Sequence, residues 1–178
     1  MLRSNVSPPA EHETCQQKRV KSMRYRDTRI GVADVMLIAP CGLHCGLCRA
    51  HIRNRRPCPG CRGDDDNKSN ACITCAIKNC QHLAAGGHQF CFSCTKFPCP
   101  ELRHLDHRYR TKYGVSAIAN LERIEAVGIK QFVADARDAW SCSKCGTVLC
   151  MHKPQCVNCG QPWRKQRIKG EGEKVWAD

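Results

Sequence analysis

The sequence predicts a small, metal-stabilised protein, mainly α-helical, with irregular Cys-rich loops and zinc-ribbon-like β knuckles toward the C-terminus. Three observations predict it. Seventeen of the 178 residues are cysteine. Without those thiols the apolar share falls to about 32%, and Leu, Ile, Val and Phe make up about 18%; at a formal charge of +13 such a chain buries too little to fold on apolar surface alone. Third, apolar residues recur at helical spacing only in short stretches and in one Cys-free block between 114 and 140. Small domains with so thin a core use disulfides or metal, and a large enzyme barrel is excluded.

Metal is expected over disulfides. The N-terminal stretch lacks the apolar centre of a secretory signal, and the oily run Val35 to Ala39 is too short to span a bilayer, so a reducing, cytoplasmic setting with no membrane is predicted. An odd cysteine count also suits a closed disulfide framework poorly. Six CxxC pairs are present: Cys45/Cys48, Cys58/Cys61, Cys72/Cys75, Cys91/Cys94, Cys142/Cys145 and Cys156/Cys159. Two intervening residues let one turn of backbone aim both sulfurs at one ion, at roughly 2.3 Å for zinc. The βαβ context of a thioredoxin-like redox pair is lacking.

Five segments follow in order. Residues 1–34 carry Pro8-Pro9 and scattered charge and read as a disordered extension, with Cys15 outside the metal sites. Residues 35–113 form a Cys-rich metal-binding module, in which 11 thiols lie between Cys41 and Cys99. A helix after Pro40 would align Cys41, Cys45, Cys48 and Ile52, against the grain of Gly46. Asn70 is the expected cap of a helix over Ala71 to Leu83 ending at Gly86-Gly87, with Cys80 either ligand or core. Pro100 suits the first position of a third helix that turns Leu102, Leu105 and Tyr109 inward. Residues 114–140 form a helical brace: Ser116 caps a helix burying Ile118, Leu121 and Ile124, Gly128 stops it, and Ile129, Phe132, Val133, Ala136 and Trp140 mark the next. Residues 141–163 read as a short zinc-ribbon-like module, with Gly146 and Gly160 directly after the second thiol of each pair, where positive φ turns backbone N–H groups toward sulfur. Residues 164–178 are a basic tail.

The string from Ile38 to Cys48, IAPCGLHCGLC, followed by CPGCRG, CAIKNC, FCFSCTKFPCPEL, NLERI and WSCSKCG, resembles an uncharacterised microbial family, domain of unknown function 3795, over roughly residues 36–160. The resemblance picks out Cys41, Cys45, Cys48, Cys58, Cys61, Cys75, Cys80, Cys91, Cys94 and Cys99, with Cys142, Cys145, Cys156 and Cys159, as metal ligands. It implies no activity, and Cys15 and Cys72 fall outside its pattern.

About three zinc ions are expected, all held by thiolates, in a non-enzymatic interaction module; the alternative is one 4Fe-4S cluster in the first module plus zinc, in an electron-transfer or redox-sensing protein. Cys41, Cys45 and Cys48 have a C-x3-C-x2-C spacing similar to that of radical S-adenosylmethionine enzymes, but the chain is too short for their barrel. A cross-brace pairing Cys45/Cys48 with Cys72/Cys75 and Cys58/Cys61 with Cys91/Cys94 would resemble a RING-type finger. Histidines read as capping or solvent-facing, since thiols already outnumber coordination positions. No phosphate loop or nucleophile elbow is present, and Asp64-Asp65-Asp66 reads as a solvated loop, so no catalytic residue is assigned and enzymatic activity is not expected.

Each zinc tetrathiolate carries −2, so three sites lower +13 to about +7. Arg49, Arg53, Arg55, Arg56 and Arg62 then chiefly offset the thiolates. The mixed aromatic and basic runs at 108–113 and 163–167 make nucleic acid a second candidate partner, behind a protein partner of unknown identity.

Overall fold

In a computed structural model, which describes residues 34–163, the protein is mainly helical with little strand. The expectations for residues 1–33, for Cys15 and for the tail from 164 lie outside these residues. The chain enters on a 3-10 turn, Val35–Leu37, capped by Asp34, whose Oδ1 accepts from the Met36 N–H at 2.8 Å. Leu37, Ile38 and Ala39 are buried, and the chain reverses at Gly42, where φ is +82° and the Ala39 N–H donates to the Leu43 carbonyl at 2.9 Å.

That reversal changes the expected helix after Pro40. Its place is taken by a 3-10 turn, Cys45–Leu47, and a single α-helical turn, α1 (Arg49–Ile52), with Cys48 extended between them. Gly42 is left-handed, and the imidazole of buried His44 accepts from the Gly46 N–H at 3.1 Å, closing the short turn. The expected helix over 71–83 is likewise divided, into α2 (Asn70–Ile73) and α3 (Gln81–Ala85). Asn79 divides it: its side-chain amide donates to the Ile73 carbonyl at 2.8 Å, satisfying an acceptor that a continuing helix would have used. Ser69 rather than Asn70 occupies the cap position, and Gly86 ends α3.

The longer helices follow the sequence pattern. α4 (Pro100–Tyr113) starts on its proline and ends at left-handed Gly114; Leu102 is fully buried, with Leu105 and Tyr109 half-buried. α5 (Ala117–Val127) is capped by Ser116, whose hydroxyl accepts from the Ala119 N–H at 3.0 Å, and α6 (Ile129–Ala139) begins after Gly128. Leu121 and Ile124 from α5 pack with Phe132, Val133 and Ala136 from α6.

These helices join the thiol-rich segment in one core with Ile38, Leu43, Leu47, Ile77, Leu83, Phe90 and Leu102, and also Val148 and Met151. Packing at the 41–43 turn is close. A Cβ on Gly42 would stand 2.6 Å from the Ala117 carbonyl oxygen and 2.7 Å from Leu121 Cγ, and the Asn120 amide donates to the Gly42 carbonyl at 2.9 Å. Asp106 is buried at 4% exposure and orients α5 by accepting from the Ser116 hydroxyl at 2.7 Å and the Ile118 N–H at 3.1 Å.

Candidate metal centre

The segment 141–163 contains two similar turns. In the first, the Cys142 N–H donates to the Thr147 carbonyl at 2.9 Å and the Gly146 N–H to the Cys142 carbonyl at 2.8 Å. In the second, Cys156 donates to Gln161 at 2.8 Å and Gly160 to Cys156 at 3.0 Å. Gly146 and Gly160 have φ of +68° and +74°, the left-handed backbone that closes each turn and that glycine adopts without strain. One isolated antiparallel bridge flanks each turn, Ser141 with Val148 and Gln155 with Pro162.

The turns face each other through sulfur. Cys142 Sγ lies 3.6 Å from Cys159 Sγ, and Cys145 Sγ lies 3.7 Å from Cys156 Sγ. All four sulfurs fall within 4.8 Å of one another, so Cys142, Cys145, Cys156 and Cys159 can hold a metal ion. Cys142 and Cys156 are buried with Leu149 against Trp140 and Trp163, whose rings meet edge-on at 5.0 Å; Cys145 is exposed. The Thr147 hydroxyl, hydrogen-bonded to Cys145, brings that thiol down to about 6, whereas burial pushes Cys156 up to about 12. The quartet thus presents one ready thiolate and a buried thiol whose proton is released to solvent when a metal ion binds its sulfur.

Between the turns the chain is pinned to the first module. Val148 and Cys150 are fully buried, the Met151 N–H donates to the Leu47 carbonyl at 2.9 Å, and His152 Nδ1 accepts from the Arg49 N–H at 3.3 Å. The His152 ring meets Tyr113 at 4.6 Å and Tyr109 at 6.0 Å, so the tyrosines of the 108–113 run pack within the protein. His44 and His152 have the capping role read from the sequence.

The first-module thiols are arranged differently. Among the described residues, Cys41, Cys45, Cys48, Cys58, Cys61, Cys75, Cys80, Cys91, Cys94 and Cys99 form no group of three whose sulfurs all lie within 4.8 Å of one another. Cys41, Cys58 and Cys91 are buried and the others half-buried, while Cys72 is exposed. Burial pushes Cys45 up to about 12, helped by repulsion from Cys61, Cys48 and Cys58 and opposed by the Cys61 N–H, which donates to its sulfur at 3.3 Å. Burial likewise raises Cys91 to about 12, with repulsion from Cys99, Cys80 and Cys94.

Residues 37–104 match the family described as protein of unknown function (DUF3795). The match covers the thiol-rich segment and stops before the 142–159 quartet. No curated protein and no solved structure matches the chain.

Two groups of side chains have roles that the sequence reading did not assign. Arg62 donates to the Ile38 carbonyl at 2.8 Å and the Gln89 carbonyl at 2.6 Å and lies over the Phe90 ring, while Arg53 donates to Arg56 and Asn67 carbonyls, both at 2.8 Å. Both staple loops together, and Arg62, with Lys68, also opposes the rise of the Cys61 thiol. Asp106 was signalled only by its place beside Leu102, Leu105 and Tyr109 on the inner face of α4. Asp64, Asp65 and Asp66 are exposed, as a solvated loop requires.

Proposed function

We propose that Cys142, Cys145, Cys156 and Cys159 hold one zinc ion in a closed, zinc-ribbon-like site, that the thiols before them bring the total to about three, and that the protein is a cytoplasmic, non-enzymatic interaction module whose folding is coupled to metal. One observation carries the reading: the 3.6 and 3.7 Å sulfur–sulfur distances. Four thiolates at about 2.3 Å from a tetrahedral ion stand about 3.8 Å apart. A 4Fe-4S cube instead spreads its cysteine sulfurs outward from four corners, much further apart than the 4.8 Å limit of this quartet.

Bound there, zinc supplies a cross-link between two turns that share few apolar contacts. The chain supplies the rest: Gly146 and Gly160 shape the turns, Thr147 prepares Cys145, and Leu149, Trp140 and Trp163 shield the buried sulfurs. Four thiolates fill a tetrahedral ion and leave no position for substrate, which supports a structural role. A hollow of about 630 Å³ lined by Ser116, Asn120, Trp140, Leu149 and Trp163 adjoins the site and offers a partner a surface that the ion would hold in shape.

Elemental analysis of anaerobically purified full-length protein tests this. About three zinc per chain is expected, with Cys142→Ser losing one. Iron in stoichiometric amount with a brown absorbance near 400 nm, or a Cys142→Ser chain that keeps all its zinc, contradicts it.

A further inference from the structure

The geometry points to a second single-ion tetrathiolate site, formed by Cys80, Cys91, Cys94 and Cys99, with the chemistry of zinc. These four residues come from three places: Cys80 at the start of α3, Cys91 and Cys94 in the 3-10 turn Cys91–Ser93 and its cap, and Cys99 at the N-cap of α4. All four line one hollow of about 60 Å³, walled by Ile77, Leu83, Phe97 and Leu102. Cys99, Cys80 and Cys94 are the strongest electrostatic neighbours of Cys91, ahead of Cys75, and all four of the proposed ligands border the same hollow.

The site is separate from the 142–159 quartet and deepens the zinc reading by dividing the first-module thiols. Four thiols line this one hollow of about 60 Å³, the donor set of a zinc tetrathiolate. Its charge balance is also suitable. A net charge of −2 against apolar walls needs compensation. Lys96 lines the hollow, and α4 is 14 residues long and begins at Pro100, so its positive end faces Cys99. Glu101 also lines the hollow, but it is exposed and its carboxylate has water to solvate it.

The four sulfurs do not all lie within 4.8 Å of one another, unlike those of the later quartet, so a single ion would have to draw them together. The result is a metal-dependent clasp that fixes α3, which is only five residues long, to the start of α4.

The test uses the full chain, purified anaerobically with zinc. Cys80→Ser and Cys94→Ser should each lose one zinc, and the double variant Cys80→Ser/Cys94→Ser should lose that same single ion. A double variant that loses two, or single variants that lose none, overturns the assignment. If the variants do not fold, alkylation of the unmodified chain during stepwise chelation decides it. Cys80, Cys91, Cys94 and Cys99 should become reactive in one step, and exposure in different steps overturns the proposal, as does iron bound at these thiols. Cys142, Cys145, Cys156 and Cys159 are read in the same digest, so failure of that site is scored separately.

Discussion

The two thiol-rich regions of this protein hold sulfur in opposite ways. Between Cys142 and Cys159 four thiols converge to within 4.8 Å, although only three buried residues, Cys142, Leu149 and Cys156, make up their apolar cluster. Between Cys41 and Cys99 there are 11 thiols, several built into the main core beside Leu43, Phe90 and Leu102, and no such quartet closes among the described residues. The difference shows that ligand density does not make a site. In the later region two glycine-ended turns determine where sulfur points. In the earlier one the sulfurs share their surroundings with leucines and phenylalanines, and packing has an equal say in their positions.

This contrast predicts that the regions fail separately. The largest effect expected from a single substitution is that of Gly42→Ala, which adds a Cβ 2.6 Å from a backbone oxygen at a φ of +82°. Overpacking and left-handed strain together amount to about 2–5 kcal/mol. Thermal unfolding should move down sharply, while cobalt substituted at the later quartet keeps its thiolate absorption. Loss of both signals together would show that the regions are not distinguishable in this way.

Asp106→Ala comes next. It leaves the Ser116 hydroxyl and Ile118 N–H without their buried acceptor, at a cost of about 1–3 kcal/mol. Denaturant titration should report that loss with zinc content unchanged. A variant as stable as the parent would remove Asp106 from the account.

The sequence made the later helices legible because each has its own punctuation: Pro100 and Gly114 bound α4, and Ser116 and Gly128 bound α5. The two short helical stretches were less legible because single side chains intervene. His44 closes a 3-10 turn and Asn79 takes the Ile73 carbonyl, competing locally with the helix in ways that hydrophobic spacing does not register. The later quartet could be read from two CxxC-Gly units, whose geometry is local. The grouping of Cys80 with Cys91, Cys94 and Cys99 could not, because it depends on how α3 packs against α4.

Two smaller effects sharpen the comparison. Because the Thr147 hydroxyl brings Cys145 down to about 6, that thiol is already ionised at pH 7.5, and fewer than four protons should leave the quartet on zinc binding. Below about pH 6 it gains its proton, so the count rises toward four and affinity falls as pH falls. The sign is that of a depressed group, whose contribution is present above its unfolded value near 9 and is lost as pH drops through the folded one. Calorimetry of zinc binding to the metal-free, reduced chain in buffers of different ionisation enthalpy measures the count; a constant four at both pH values contradicts the role of Thr147. Smallest is Gly146→Ala. Its Cβ would meet open space, so only the strain at φ +68° acts, about 1 kcal/mol or roughly fivefold in zinc affinity by competition with a chelating dye.

The most direct measurement is thermal unfolding of the reduced, full-length chain, first loaded with zinc and then fully chelated, followed by circular dichroism. The loaded protein should unfold in a cooperative transition that the chelated protein lacks or undergoes at a much lower temperature. A chelated, reduced sample that unfolds cooperatively at the same temperature would show that thiolate-bound metal is not what stabilises this fold.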